Sequence, residues 1–228
     1  MSASLAGVRL LVSAGPTYED IDPVRFLGNR SSGKMGFAIA AVAAERGAEV
    51  VLVAGPVHMA TPAGVTRIDV RSAAQMHDAV MARLGMVDAP CDAYIGAAAV
   101  ADFTPRAASA NKLKKQPGQD TLVLELVKTR DILADVAAHA ARPRLVVGFA
   151  AETDNVAGYA RGKRERKGVD LICANRVGVA GGGFESDDNA LLVIDQDGER
   201  ALGPASKTML AGELLDIVAG CLSMQGAG

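Results

Sequence analysis

The sequence lacks tryptophan, long apolar runs and an excess of charge of either sign. Its formal net charge is −2, so it has no general attraction for polyanions, and any contact with phosphate or nucleic acid must come from local clusters. No run approaches the roughly 18 apolar residues that cross a bilayer, and the N-terminus has no charged region followed by a long apolar one. We therefore expect a cytoplasmic protein that binds neither a membrane nor nucleic acid.

Cysteine and histidine are also scarce, with three of each. The cysteines, Cys91, Cys173 and Cys221, are odd in number, far apart and without C-x-x-C spacing. That pattern is typical of reduced, mostly buried thiols rather than disulfides or zinc ligands. No histidine has a serine, cysteine or paired carboxylate at a recognisable spacing, and the G-x-S-x-G and H-E-x-x-H motifs are missing. Hydrolase and zinc-protease functions therefore have no motif to support them.

The composition, half apolar and 4% aromatic, suits one compact α/β domain. Short apolar runs alternate with amphipathic ones, which predicts parallel strands joined by crossover helices. Buried strands are predicted near residues 8–14, 49–55, 92–100, 144–151 and 170–175, and a hairpin at 189–202 that turns at Asp197-Gly198. Helices are predicted at 33–46, 73–84, 131–140, 155–168 and 206–222, the last with Ser206 as its cap. Five such strands indicate one mostly parallel sheet flanked by helices.

Residues 102–128 follow a different pattern. They begin as a polar stretch that ends in K-L-K-K and continue as T-L-V-L-E-L-V. In the second part, Leu122, Leu124 and Leu126 alternate as in a half-buried strand. We predict that this segment is a flap inserted in a single domain spanning residues 1–228.

The segment Gly28–Gly36 combines glycines, hydroxyls, two cations and an amide where a helix begins. Ser31 or Ser32 is positioned to cap the helix that runs from about Gly33 to Arg46. The N–H groups of the first helical turn and the positive end of the helix dipole attract phosphate or carboxylate. The alternative is a structural loop, in which the glycines only permit a tight backbone that leads into a well-capped helix. The pattern alone does not decide between this loop and an anion site.

The same segment spells G-x-x-x-x-G-K from Gly28 to Lys34, yet it is not a P-loop. A P-loop carries serine or threonine after the lysine as a magnesium ligand, whereas Met35 offers only a thioether. A P-loop also follows its strand directly, and here a long polar loop separates the strand that ends near Ala14 from Gly28. The glycine spacing also excludes the G-x-G-x-x-G fingerprint of dinucleotide-binding proteins.

Residues that follow strands are candidates for a site, because ligands of open α/β sheets bind beyond the carboxyl ends of the strands. The stretch 96–101 consists of small residues that let a flat base approach the backbone, and Asp102 follows as a carboxylate for a hydroxyl or magnesium. The stretch 148–153 places Phe149 and the carboxylate of Glu152 at the same edge. The alternative explanation is that small residues at strand ends serve tight helix packing.

Basic residues cluster in two places. On one predicted helix, Lys163 and Lys167 are four residues apart and share a face, which would let both ammonium groups bind one polyphosphate. In the flap segment, Lys112 and Lys114 would project together from an extended chain as a mobile basic lid over a charged substrate. In both places the alternative is a solvated, mutually repelling face. The available side chains suit the positioning of phosphates, which is the chemistry of nucleotide-driven ligation or transfer.

Several sequence blocks with the spacing of a known family cover nearly the whole chain in order. They are GPTYEDIDPVRFLGNRSSGKMG, AAAVADF, NKLKK, GFAAETDN and DLICAN, followed by FESDDNALLVI and the C-terminal SK. Together they closely resemble bacterial phosphopantothenoylcysteine synthetase. The resemblance implies a Rossmann-like fold, a homodimer and a CTP-dependent ligase of coenzyme A biosynthesis. In that family the synthetase is often fused to a flavin-dependent decarboxylase, and we expect this chain to be the synthetase alone, without flavin.

The reaction that the resemblance implies has two halves. The carboxylate of phosphopantothenate attacks the α-phosphate of CTP, giving an acyl-cytidylate and pyrophosphate, and the amine of L-cysteine then displaces CMP to form the amide. A carboxylate is a poor acyl donor until its oxygen becomes part of a phosphate leaving group, and Mg²⁺ offsets the charge of the triphosphate.

The resemblance also implies roles for individual residues. Asn29 matches the asparagine that holds the acyl-cytidylate, and Lys112 matches a flap lysine required for catalysis. The implied nucleotide contacts are Gly96, Ala97, Ala98, Asp102, Lys112, Arg130, Asp131, Ile132, Leu133, Phe149, Lys163 and Lys167. The implied contacts with the acyl substrate are Asn29, Ser31, Ser32, Gly33, Lys34, Met35 and Gly36. The family pattern has proline where this chain has Arg130, so the resemblance does not imply the shape of that loop. It has arginine where this chain has Tyr18, so the resemblance does not imply the contacts of Tyr18.

Two functions of other classes remain open from the sequence: an NAD(P)-dependent oxidoreductase and a non-catalytic nucleotide-binding module. The oxidoreductase lacks its dinucleotide fingerprint. The binding module would use the same residues as the ligase. The two differ in the flap lysine, because a lysine that served only binding would not be needed for turnover.

Overall fold

A computed structural model of the chain describes residues 3–115, 118, 120–152, 154–176 and 188–225. The strands are β1 (Arg9–Ala14), β2 (Tyr18–Asp20), β3 (Phe26–Gly28), β4 (Glu49–Ala54), β5 (Val65–Asp69), β6 (Ala93–Gly96), β7 (Phe103–Pro105), β8 (Leu126–Lys128), β9 (Leu145–Glu152), β10 (Leu171–Arg176), β11 (Asp188–Ile194) and β12 (Glu199–Ser206). The helices are α1 (Lys34–Glu45), α2 (Ala73–Leu84), α3 (Ile132–Ala137), α4 (Val156–Lys167) and α5 (Lys207–Gln225).

The main sheet contains eight strands in the order β12-β11-β10-β9-β6-β1-β4-β5. The strands from β10 to β5 run parallel, and β11 and β12 are antiparallel to their neighbours. The predicted α/β fold with a mostly parallel sheet is therefore confirmed. The chain moves outwards from β1 through β4 and β5, then returns to the other side of β1 with β6. This reversal opens a crevice at the carboxyl ends of β1 and β6, where α/β proteins bind ligands.

Helices cover both faces of the main sheet. α1 and α5 pack on one face, and α2, α3 and α4 pack on the other. The parallel strands are consequently buried on both faces, as in β1, where Leu10, Leu11 and Val12 are 2%, 0% and 0% exposed. Burying each such side chain is worth about 1.5–3 kcal/mol. These strands are continuous apolar runs for this reason, and that is why the sequence pattern predicts them well.

α1 begins differently from the prediction. Its N-cap is Gly33, which has a left-handed backbone with a φ of 76° and makes no side-chain capping bond. The predicted cap by Ser31 or Ser32 is therefore wrong, because the chain turns into the helix through a left-handed residue, which favours glycine. Ser31 Oγ instead accepts from the N–H of Gly33, before the helix. α1 also lies close to β1, since a Cβ on Gly36 would be 2.4 Å from the Cβ of Ala14.

Other predicted elements have shifted ends. The strand predicted at 92–100 ends at Gly96, because the backbone turns there and the Ala97 N–H also donates back to the Ile95 carbonyl oxygen at 3.2 Å. The helix predicted at 131–140 is reduced to α3, with Asp131 as its cap. No sequence pattern predicts β5, because it is an edge strand that exposes much of its length and carries little apolar character.

Residues 102–128 contribute a small structure beside the main sheet. β7 and β8 pair as an antiparallel two-stranded sheet, and β2 and β3 form another. Of the alternating leucines only Leu126 lies in a strand, and Leu122 and Leu126 are 52% and 40% exposed. The predicted half-buried strand through these leucines is therefore wrong, because no second layer within the described residues covers it. That the segment acts as an inserted flap remains a prediction.

β11 and β12 form the predicted hairpin and extend the main sheet as its antiparallel edge. At the turn, Asp195 Oδ1 accepts from the N–H groups of Asp197 and Gly198, each at 2.8 Å. α5 follows directly, and Ser206 Oγ accepts from a backbone N–H of the first turn at 3.3 Å, as predicted for its cap. The start of the block FESDDNALLVI, residues 184–187, lies outside the described residues.

The three cysteines are free; Cys91 and Cys173 are buried and Cys221 is partly buried. Burial raises the pKa of each thiol. The thiols therefore stay protonated and unreactive, as predicted for spectator residues. None of the helices in the described ranges is long and apolar enough to cross a membrane.

Candidate functional site

Two adjoining cavities open at the carboxyl edge of the main sheet. The first, of about 510 Å³, lies at the ends of β1, β6 and β9, and we name it the sheet-edge cavity. The second, of about 420 Å³, lies at the start of α1, and we name it the helix-start cavity. Both lie at the reversal of the strand order, where the topology of an α/β sheet favours a ligand site.

Most residues predicted to contact a nucleotide line the sheet-edge cavity. They are Gly96, Ala98, Asp102, Arg130, Asp131, Ile132, Leu133, Phe149, Lys163 and Lys167. Gly96 lines the cavity, and its lack of a side chain leaves that backbone open to a flat group. Gly148 does not line the cavity: a Cβ there would lie 2.6 Å from Leu133 Cδ2, so this glycine serves the close packing of α3 on β9.

Lys163 and Lys167, on one face of α4, form the basic wall of the sheet-edge cavity. Lys163 Nζ donates to the Phe149 carbonyl oxygen at 2.7 Å, and Lys167 forms an ion pair with Asp131. Asp131 also caps α3, because its Oδ1 accepts from the Ala134 N–H at 3.1 Å. Both ammonium groups therefore lie at the cavity rather than on the solvated, mutually repelling face that the sequence left as the alternative.

Arg130 lies at the rim of this cavity. Its Nη2 donates to Asp78 Oδ1 at 2.6 Å and to the Ala74 carbonyl oxygen at 3.4 Å, both in α2. The guanidinium holds the pKa of the Asp78 carboxyl below its usual range. The loop before α3 is therefore fixed through side-chain contacts with α2.

The hydroxyls of Ser13 and Tyr94 lie 2.8 Å apart beneath the sheet-edge cavity, and both residues line it although each is 1% exposed. Burial raises the pKa of Tyr94 to about 12, so the pair is neutral at physiological pH. Sequence reasoning missed both residues. The available signal is Ser13 itself, because a polar residue inside a buried apolar strand has to find a hydrogen-bond partner.

The helix-start cavity collects all the residues predicted to contact the acyl substrate. They are Asn29, Ser31, Ser32, Gly33, Lys34, Met35 and Gly36. Asn29 lies in the loop before α1, and its Nδ2 donates to the carbonyl oxygens of Ala99 at 2.9 Å and Val100 at 3.3 Å. These bonds tie the amide of Asn29 to the loop that follows β6, between the two cavities.

Three polar residues that sequence reasoning missed also line the helix-start cavity: Asn175, Asn189 and Lys207. They are 9%, 8% and 6% exposed. Lys207 is the first residue of α5, as Lys34 is of α1, so two helix starts and their lysines line one cavity. Helix N-termini and ammonium groups both favour anions. The signals present in the sequence were the final asparagine of DLICAN and the lysine of the C-terminal SK.

The two cavities share one wall. Its residues are Ala98, Val100, Asp102, Phe149 and Lys163. Ligands in the two cavities would therefore meet beside the Asp102 carboxylate and the Lys163 ammonium. Such a junction suits transfer between two anionic ligands, because the cation offsets developing charge and the carboxylate binds a hydroxyl or a divalent ion.

Ala97 and Lys112 are placed differently from the other predicted nucleotide contacts. Ala97 lines only the helix-start cavity. Lys112 is exposed in an irregular stretch of the flap segment and lines neither cavity. Its neighbour Leu113 is tied to the body of the protein, because its N–H donates to Asp22 Oδ2 at 3.1 Å and its carbonyl oxygen accepts from Arg25 at 2.9 Å.

Within the described residues, no group of three or more histidine, cysteine or acidic side chains is arranged to hold a metal ion. The carboxylate that both cavities share is that of Asp102. A single carboxylate fits Mg²⁺ that is held mainly by substrate phosphates and water.

The fold and the paired cavities define an α/β protein of the Rossmann-like class, with a basic crevice at the strand reversal. Residues 5–222 match the family described as the DNA/pantothenate metabolism flavoprotein C-terminal domain. The chain belongs to this family, and the resemblance found in the sequence is confirmed.

Named relatives and solved structures agree with this membership. The coenzyme A biosynthesis bifunctional protein CoaBC of Vibrio cholerae is 49% identical over 214 residues, which cover 94% of this chain and 53% of that protein. The crystal structure of the C-terminal domain of CoaBC matches with a TM-score of 0.79 at 38% identity, covering 96% of this chain and 97% of that one. A Cab2 mutant in complex with phosphopantothenate-cysteine has a TM-score of 0.74 at 15% identity, over 97% of this chain and 89% of that one, and shows the fold alone. The chain spans about half the length of the CoaBC proteins it matches.

Proposed function

We propose that this chain is a ligase of coenzyme A biosynthesis that joins phosphopantothenate to L-cysteine, using CTP and an acyl-cytidylate intermediate. The observation that carries the proposal is the shared wall, which makes a nucleotide in the sheet-edge cavity and an acyl substrate in the helix-start cavity neighbours at Asp102 and Lys163. Two similar proteins support the assignment. CoaBC is a coenzyme A biosynthesis protein, and the Cab2 mutant of the same fold is in complex with phosphopantothenate-cysteine.

The sheet-edge cavity suits a nucleoside triphosphate. The bare backbone at Gly96 accepts the flat base, and the ammonium groups of Lys163 and Lys167 lie where they would neutralise the phosphates. Cations held in place before the ligand arrives stabilise charge at a phosphoryl group without reorganising during the reaction.

In the first half-reaction, the carboxylate of phosphopantothenate attacks the α-phosphorus of CTP, and the bond to the pyrophosphate oxygen breaks. The start of α1 with Lys34, and Lys207 beside it, would hold the phosphate of the substrate in the helix-start cavity. Its carboxylate would then point to the shared wall, where Lys163 stabilises the developing charge. Mg²⁺, when bound, supplies further neutralisation of the triphosphate, and Asp102 is the residue placed to hold it.

In the second half-reaction, the amine of L-cysteine attacks the acyl carbon and CMP leaves. Asn29, tied to the loop between the cavities, would hold the acyl phosphate in place for this attack. We propose that Lys112 joins the site when a flap closes, its own or that of a partner subunit, because it lies outside both cavities.

We also propose that the chain forms a homodimer. Exposed apolar side chains collect on the flap segment and on the adjoining small sheet. They are Val24 (59%), Phe26 (43%), Phe103 (47%), Leu122 (52%), Val123 (88%) and Leu126 (40%). An exposed apolar surface of this kind suits burial at a twofold interface. A cytoplasmic location and a fused or associated flavin-dependent decarboxylase complete the proposal, since the CoaBC relatives are bifunctional.

The direct test is to incubate the chain with CTP, Mg²⁺, phosphopantothenate and L-cysteine and to measure pyrophosphate and CMP. We expect both products, and pyrophosphate without free CMP in the first turnover when cysteine is omitted. A parallel arm with ATP measures the nucleotide preference. CTP binding without either product would indicate a non-catalytic nucleotide-binding module, and binding of NAD(P) instead of CTP would indicate an oxidoreductase.

A further inference from the structure

His77 is a buried histidine of α2, 8% exposed, that contacts two carboxylates next to the sheet-edge cavity. Its Nε2 lies 2.9 Å from Asp135 Oδ2 in α3, and its Nδ1 lies 3.5 Å from Asp78 Oδ1 in its own helix. His77 itself lines neither cavity and touches no substrate in the proposed reaction. Its bond to Asp135 nevertheless connects it to the cavity wall.

This connection runs through α3. This helix has only six residues, and a helix of that length is not stable in water on its own. Its position therefore depends on outside contacts: the ion pair of Asp131 with α4 at its start, the burial of Ile132, and the bond from Asp135 to His77 one turn later. Because Ile132 and the adjacent Leu133 line the sheet-edge cavity, a shift of α3 would change the shape of its wall.

Asp78 does not provide a second connection. Its Oδ1 faces the His77 Nδ1 at 3.5 Å without a hydrogen bond between them, and it accepts from Arg130 at 2.6 Å instead.

The hydrogen bonds of the imidazole ring also indicate a role other than packing. Because the Asp135 carboxylate only accepts, the neutral ring carries its proton on Nε2. Nδ1 is then an acceptor, and it is a buried atom without a hydrogen-bond partner among the described residues. An unpaired buried polar atom is unfavourable, and an apolar residue would fill the space between α2 and α3 without that cost.

We propose that His77 is a positioning residue that fixes the α3 wall of the sheet-edge cavity through Asp135. The inference rests on the proposed function, because it takes the sheet-edge cavity as the CTP site. Without His77, α3 loses this anchor, and nucleotide binding weakens while the reacting groups stay unchanged.

Matched substitutions separate this role from packing. His77→Leu removes both ring nitrogens, His77→Gln keeps a donor for Asp135, and His58→Leu changes an exposed histidine of a loop as the control. Calorimetry gives the Kd for CTP, and steady-state assays give KM and kcat. We expect His77→Leu to raise Kd and KM for CTP about tenfold, with kcat changed by less than about twofold. His77→Gln should restore most of the affinity, and His58→Leu should match the wild type.

Asp135→Ala removes the same bond from the more exposed side, where 47% of the side chain is accessible, so it tests the proposal even if His77→Leu does not fold. It should raise the KM for CTP by a similar factor, and the double variant should be no weaker than either single one. Unchanged CTP affinity in these variants would overturn the positioning role and leave the proposed function intact. A wild-type protein that does not bind CTP would overturn both.

Discussion

Lys163 Nζ donates to the carbonyl oxygen of Phe149 at 2.7 Å, so α4 is tied to β9 at the wall that the two cavities share. The bond occupies one of the donors of the ammonium group and orients the others. The cation is therefore held in place before a ligand arrives. Charge that is positioned in advance is an effective way to stabilise a phosphoryl transition state.

Lys163→Gln should lower turnover of the ligation by about 10²–10³-fold, because an oriented charge at the junction is lost. Steady-state formation of pyrophosphate and CMP measures the effect. Arg166→Gln is the matched control, since Arg166 is an exposed cation of the same helix and lines neither cavity. Equal losses in the two variants would mean that α4 acts only through its overall charge.

Asn29→Asp keeps the size of the side chain but places a carboxylate against the carbonyl oxygens of Ala99 and Val100, to which the amide donates at 2.9 and 3.3 Å. Asn29 lines the helix-start cavity and not the sheet-edge cavity, so CTP binding should persist. The variant should fail in forming or capturing the acyl-cytidylate, which single-turnover assays resolve from nucleotide binding. A parallel loss of CTP affinity would contradict the assignment of Asn29 to the acyl substrate.

Gly36→Ala should destabilise the fold by about 1–3 kcal/mol, the usual cost of overpacking a core. The added Cβ would lie 2.4 Å from the Cβ of Ala14 and would force α1 away from β1. Gly220→Ala is the control in α5, where a Cβ meets nothing within 4 Å. It should stabilise the protein by about 0.5–1 kcal/mol, because glycine is unfavourable inside a helix. Urea unfolding measures both free energies, and opposite signs are expected.

Asp22 should make the stability of the protein depend on pH. Its carboxylate accepts from the Arg25 guanidinium and from the backbone N–H groups of Val24, Arg25 and Leu113, and these bonds hold its pKa well below the usual range. Because the folded pKa lies below the unfolded value of about 3.9, the stabilisation is present above that pH and is lost as the pH falls through the folded pKa. Asp22→Asn should therefore be less stable than the wild type at neutral pH. The difference in unfolding free energy should shrink below about pH 4, and a constant difference would assign the effect to geometry rather than charge.

The sequence predicts those parts of the fold whose pattern is local. β1, β4, β6, β9 and β10 are buried on both faces and are therefore continuous apolar runs. The sequence does not predict β5 or the pair β2–β3. A short or edge strand depends on its neighbours for pairing, and its sequence carries no clear hydrophobic pattern. The wrong cap of α1 has a similar cause, since the left-handed backbone of Gly33 is decided by how the loop meets the sheet.

The candidate site divides in the same way. Asn29 and the start of α1 are contiguous in sequence, so one segment predicts the α1 side of the helix-start cavity. Tyr94 and Lys207 come from separate elements and reach the cavities only through the strand order. No local pattern distinguishes Tyr94 from an ordinary core aromatic residue, and only the resemblance of the C-terminal SK to the family pattern points to Lys207.

The flap segment leads to the last prediction, because it exposes Val123 at 88% beside Leu122 at 52%. A twofold partner that covered these side chains would remove them from water, so Val123→Lys should weaken dimerisation at micromolar concentration and lower activity in parallel. Val87→Lys is the matched control, since Val87 is also 88% exposed but lies in the loop after α2. Sedimentation and ligase assays on the same samples measure both effects. A wild-type monomer with full activity would show that the flap closes without a partner subunit.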